Sequence, residues 1–132
     1  MEKIMKRDMD LIRKILFDLE KQSDGTPVYD LEIDGHSDKE VAYHCKLLYD
    51  AGYVLNYDAS YADGDYLIGF GVGSISWDGH ELIDTIRNDT VWNKTKDTVV
   101  KNGLSMTVDV IKEIATSILS GMTQAAIKGL TT

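Results

Sequence analysis

The chain has 132 residues, is 43% hydrophobic and carries a net charge of -8, which suits one sizeable core and is too short for two ordinary domains. Its longest uncharged run, residues 114–127, includes Thr116, Ser117, Ser120, Thr123 and Gln124 and is too short and polar to span a bilayer, so no membrane segment is expected. Residues 1–22 hold six Lys/Arg against five Asp/Glu, residues 23–90 three against fourteen, and residues 91–132 five against three; such an acidic middle repels the phosphates that dominate DNA affinity.

Asp8 is a cap for a first helix in which Met9, Ile12, Leu16 and Leu19 recur at spacings of three and four, with Ile15 widening the stripe. Ser23, Asp24, Gly25 and Pro27 break it, and Val28, Tyr29, Leu31 and Ile33 predict a short strand ending at Asp34-Gly35. Ser37-Asp-Lys-Glu40 is a capping box, which predicts a helix to Ala51 with Gly52 as the left-handed residue behind it. On that helix Val41, His44, Cys45 and Leu48 share a buried face, while Lys39, Tyr43, Lys46 and Asp50 are expected to be exposed.

Tyr53 to Tyr57 reads as a strand, Ala62-Asp-Gly-Asp65 as a turn and Tyr66 to Trp77 as a long returning strand. Gly69, Gly71 and Gly73 alternate with Ile68, Phe70 and Val72, so one face of the returning strand lacks side chains and admits a close neighbour. Ser76 caps a helix running to Arg87 that buries Leu82, Ile83 and Ile86. Asp89 or Thr90 opens another with Val91, Trp92, Val99 and Val100, stopped by Asn102-Gly103. From Leu104 onward, Val108, Ile111, Ala115, Ile118, Met122, Ala125 and Gly129 continue in steps of four and three, a heptad seam for self-association or for packing on the same chain, with Gly121 a point at which the helix could end.

A helix, a short strand, a helix, a two-stranded wing and further helices make an α+β fold with the element order of a winged helix. The expected division is a body over residues 1–103 and a C-terminal helical extension over 104–132. Between Gly35 and Gly52 there is room for one helix, not for a helix, a turn and a recognition helix.

Three stretches carry a resemblance: Met5-Lys-Arg-Asp-Met-Asp-Leu-Ile-Arg-Lys-Ile-Leu16, Tyr43-His-Cys-Lys-Leu-Leu-Tyr-Asp-Ala-Gly-Tyr53, and Trp77-Asp-Gly-His-Glu-Leu-Ile-Asp84 continuing to Asp89-Thr-Val-Trp-Asn-Lys94. They resemble an uncharacterised family of small bacterial and phage proteins with a winged-helix-like fold. The resemblance implies a phage or mobile-element setting and brings no active site with it.

The residues argue against chemistry. His80-Glu-Leu-Ile-Asp84 has Asp84 where a zinc protease has its second histidine, and reads as a polar helix start. His44 and Cys45, as sequence neighbours, point about 100° apart on a helix, so with His36 they form no ligand set. Gly69-Phe-Gly-Val-Gly73 lies within a strand with no Gly-Lys-Ser/Thr behind it, so it is no phosphate loop. Cys45 is the single cysteine, expected to be a small buried hydrophobe with no disulfide. No cofactor, metal or catalytic residue is expected. Met1 to Lys14 mixes charges without an apolar stretch, so no secretory signal is expected and the cytoplasm is the expected location. The Asn-x-Thr triplets at Asn88 and Asn93 are then chance matches.

Three functions remain. The first is a module for protein interaction or self-association through the seam Val108, Ile111, Ala115, Ile118 and Met122. The second is a DNA-binding regulator using the face of Lys39, Tyr43 and Lys46, aided by Lys3, Lys6, Arg7, Arg13 and Lys14; fold analogy favours it and charge disfavours it. The third is an acidic imitation of DNA.

Overall fold

The computed structural model describes residues 5–22 and 24–130; Lys3 and the expected helix breaker Ser23 lie outside the described residues. The fold is α+β, with the order α1 (Met9–Gln22), β1 (Val28–Tyr29), α2 (Asp38–Asp50), β2 (Tyr57–Ala62), β3 (Tyr66–Val72), α3 (Trp77–Thr85), α4 (Asp89–Lys101) and α5 (Val108–Leu130). The chain divides into two compact units, Met1–His80 and Glu81–Thr132, so the division falls inside α3. The sequence reading divides the chain at 103/104 instead; α5 packs on α4 and so shares a unit with it.

In the first unit, Asp8 Oδ1 accepts the Asp10 and Leu11 amides at 2.9 and 3.2 Å, capping α1 as expected. The helix buries Met9, Leu11, Ile12, Ile15, Leu16 and Leu19 and packs against α2. Ser37 Oγ accepts the Glu40 N–H at 3.1 Å, but the Glu40 carboxylate meets His36 Nδ1 at 2.6 Å, so the expected reciprocal half of the capping box goes to a histidine ring. At the other end the Gly52 and Tyr53 amides reach back to the carbonyls of Tyr49 and Leu48 with Gly52 at φ 82°, the left-handed stop predicted for that glycine.

The sheet is antiparallel with strand order β1-β3-β2, and α2 packs against β2 and β3. Phe70 and Val72 are buried and Gly69 and Gly71 lie on the opposite face. The hairpin differs from the expected one. Val54 forms only an isolated bridge to Ile75, and the ladder runs from Tyr57 to Ala62. The turn Asp63-Gly64-Asp65 has Gly64 and Asp65 at positive φ, so pairing grows outward from that turn and draws in the polar residues Asp58 and Ser60. The returning strand stops at Val72, well before Trp77, because Ser76 Oγ accepts the Gly79 N–H at 3.0 Å and starts α3 at Trp77 itself.

In the second unit Leu82, Ile83 and Ile86 are fully buried, as expected. Asn88 Oδ1, one residue ahead of the expected start, caps α4 by accepting the Val91 N–H at 3.1 Å, and Gly103 at φ 63° follows its end. Thr107 Oγ1 accepts the Val110 N–H at 3.2 Å, which starts α5 at Val108 and leaves Leu104 outside it. Gly121 does not end α5, whose 23 residues run to Leu130. A single glycine costs a helix about 1 kcal/mol, too little to break one this long.

Candidate functional site

The face of α2 first proposed for contact is only partly available. Lys39 and Lys46 are exposed, but Lys46 Nζ pairs with Asp50 Oδ2 at 3.1 Å, one turn along the same face. Tyr43 is half-buried rather than exposed, its ring set edge-on against His44 with centroids 5.7 Å apart. Behind it His44 is fully buried. Its Nε2 accepts the Asp8 N–H at 2.8 Å, which fixes the proton on Nδ1, and Nδ1 donates to the Glu40 carbonyl at 2.8 Å. The ring therefore ties the start of α1 to α2 and has no lone pair left for a metal, the core role its helical spacing suggests.

The seam on α5 is split by its surroundings. Ile111 and Ala115 are fully buried where the helix packs on α4, and Val108 and Ile118 are half-buried. Met122, the last of the five, is exposed, and so is every residue from 120 to 130. The first half of the seam is thus intrachain core. The second half presents Met122, Ala125, Ala126, Ile127 and Leu130 with Lys128 as its single charged residue.

A third surface is the outer face of the sheet. Gly71 lies between Tyr29 on β1 and Asp58 on β2, and Gly69 stands opposite Ser60. A Cβ on Gly71 would stand 3.0 Å from the Tyr29 ring, and one on Gly69 3.2 Å from Asp30 Oδ1. The close neighbours expected from the glycine alternation are therefore Tyr29 of β1 and Asp30 just after it, and at Gly73 they are atoms of Asn56, one residue ahead of β2. Asp30, at φ 50°, accepts the Phe70 N–H at 3.0 Å through that same Oδ1. These residues line a shallow cavity of about 190 Å³ with Ala59 and Ser60. The sequence reading found the glycines and missed Tyr29, Asp30 and Asp58; only the strand register, which no local pattern announces, brings them together.

The remaining polar features are weaker. A cleft of about 510 Å³ is lined by Leu19, Glu20, Lys21, Gly25, Ser74, Ile75 and His80, with His80 Nδ1 4.0 Å from Glu20 Oε2. Among the described residues no group of three His, Cys, Asp or Glu is arranged to hold a metal ion. Cys45 is buried and unpaired, and burial pushes its thiol from 9.0 up to about 12. The thiol is expected to ignore a thiol reagent such as dithionitrobenzoate at pH 8 in the folded chain and to react fully in guanidinium; reaction at the same rate in both would contradict its burial. The unfolded thiol ionises first as pH rises, so its contribution to stability is complete below about pH 9 and is lost toward pH 12, on the order of 2–4 kcal/mol. Urea titrations from pH 8 to 11 read that slope, and Cys45→Ala should flatten it. Tyr57 adds to the fall above pH 10, because its hydroxyl is also pushed up, by burial first and then by Tyr61.

The sequence profile of a family described as Hypothetical protein (DUF2513) matches residues 6–105. The chain belongs to the DUF2513 family. It is also 43% identical over 120 residues to a Haemophilus influenzae protein described as an uncharacterized protein, an alignment covering 89% of this chain and 98% of that one. No solved structure matches the chain. The family match takes in α1 through α4 and ends ahead of α5. Within it Gly79, from the Trp77-Asp-Gly-His-Glu stretch, has a structural role: a Cβ there would overlap the Tyr53 carbonyl oxygen and stand 2.6 Å from Ile75 Cγ2. No helix among the described residues is long and apolar enough to cross a membrane.

Proposed function

We propose that this chain is a non-enzymatic, winged-helix-like module that acts through protein contact, including self-association, in the cytoplasm and in a phage or mobile-element setting. One observation carries the reading: the apolar stripe that Ile111 and Ala115 bury against α4 runs on, exposed and almost uncharged, through the last eleven residues of α5. An exposed apolar helix face is the usual form of a helix-to-helix docking element. Residues 114–127 carry no charge, so two copies of this segment approach without repulsion even though the chain as a whole is acidic. The winged-helix-like description draws support from the strand order β1-β3-β2 and from α2 standing ahead of the hairpin. The phage setting draws on the sequence resemblance alone. The test is Met122→Asp, read by light scattering behind size exclusion and by circular dichroism. The account predicts a wild-type mass above that of one chain and a monomeric variant with unchanged helix content; equal masses would remove α5 from consideration.

The same strand order favours a second reading, a DNA-binding regulator that presents α2 to a groove. Lys46 is already paired with Asp50, and the wing turn carries Asp63 and Asp65. The proposed module therefore has no saturable affinity for a labelled mixed-sequence duplex at low salt, where phosphate attraction is least screened. Salt-sensitive binding in that anisotropy experiment would favour the regulator.

A further inference from the structure

We infer that the glycine-floored outer face of the sheet is a docking groove for an extended, arginine-bearing segment of another protein. The inference rests on the interaction reading above and names a different surface and the chemistry of its occupant. Gly71, between the Tyr29 and Asp58 rows, carries no side chain, which lets the Tyr29 ring lie over the central strand and the Asp30 carboxylate lie over Gly69 beside it. The Tyr29 ring is 74% exposed and leans over Gly71. Carboxylates stand on both sides, Asp30 from the bend just after β1 and Asp58 from β2. An aromatic face flanked by carboxylates is the environment that a guanidinium takes up, stacking on the ring and donating at its edge. The cavity of about 190 Å³ is below the roughly 300 Å³ at which small-molecule pockets begin, and it suits the head of one side chain.

Charge complementarity specifies the partner. No Lys or Arg occurs between Lys46 and Arg87, while seven Asp and Glu do, so no cation of this segment competes for the groove and phosphate is repelled from it. A second copy of this chain is a poor source of the guanidinium. Arg13 lies over the Phe17 ring at 4.7 Å, Arg87 pairs with Asp84 at 2.7 Å, and Arg7 has interactions of its own. The occupant is therefore a different, basic polypeptide.

The test is fluorescence anisotropy of a fluorescein-labelled peptide of alternating arginine and threonine against the full-length chain at low salt. Saturable binding is expected, weakened about tenfold by Asp58→Lys and about fivefold by Tyr29→Ala, which removes a ring and no charge. Asp84→Lys, the same charge change on α3, is expected to alter affinity by less than about twofold. Equal weakening by Asp58→Lys and Asp84→Lys, with no effect of Tyr29→Ala, would reduce the attraction to a general acidic field and overturn the groove. Absence of binding would overturn it too, while leaving the association of α5 standing or falling on its own mass measurement. All three positions are exposed, and an unchanged melting temperature in each variant keeps the comparison free of folding effects.

Discussion

Replacing Gly79 by alanine is expected to destabilise the first unit by about 3 kcal/mol or more, the upper range for forcing an atom into a packed site. The methyl group would meet the Tyr53 carbonyl oxygen and the Ile75 side chain. Neither can step aside cheaply. Tyr53 O already accepts the Ser76 N–H at 3.0 Å, Ser76 Oγ donates to the Gly52 carbonyl at 2.6 Å, and Ile75 is bridged to Val54. The first turn of α3 is thus seated on the exit from α2, and a Cβ at residue 79 would push the two apart. Gly121→Ala is the matched control, since a Cβ there meets nothing within 4 Å and the exposed helix should gain about 0.5–1 kcal/mol. Urea denaturation of both variants reads the contrast. Equal effects at the two positions would show that the close approach at Gly79 is wrong.

The second large effect is expected at Ile111. Aspartate there puts a charge at a fully buried position where α5 packs on α4, a change that costs about 4 kcal/mol or more when no partner is present. Helical signal and cooperative melting of the second unit should both fall. Met122→Asp lies on the same stripe at an exposed position, and its effect on monomer stability should stay within about 0.5 kcal/mol. Read from sequence alone, Ile111 and Ile118 are equivalent points at which to break self-association. The structure separates them, because Ile111 belongs to the intrachain core and Ile118 is half-buried. A stable Ile111→Asp variant would contradict the packing of α5 on α4.

These cases mark what the sequence makes legible. Helix ends are announced locally, by a side-chain oxygen or a left-handed glycine, and Asp8, Ser37, Gly52, Ser76 and Gly103 all act where their chemistry suggests. Strand limits are not announced in that way. The aromatic and β-branched run at Tyr53–Tyr57 looks more strand-like than Asp58–Ala62, yet the ladder is set by the turn at Asp63-Gly64-Asp65. The Glu40 carboxylate illustrates a nearer miss: either the Ser37 amide or a histidine fits its reach, and the His36 ring takes it. The candidate surfaces follow the same division. The periodicity of α5 is legible and the end of its contact with α4 is not, since a repeat does not say where its partner stops. The glycine face of β3 is legible too, while the register that sets Tyr29 and Asp58 on either side of Gly71 is not.

The most direct measurement is sedimentation equilibrium of the unmodified chain over a concentration series from about 5 to about 500 μM, a range that brackets the micromolar affinities of modest helix-to-helix interfaces. Association through the exposed half of α5 predicts a mass that rises with concentration from 14.7 kDa toward twice that value, and a Met122→Asp chain that stays at the lower mass throughout. A wild-type mass of 14.7 kDa at every concentration would contradict self-association and leave the exposed stripe without the partner assigned to it.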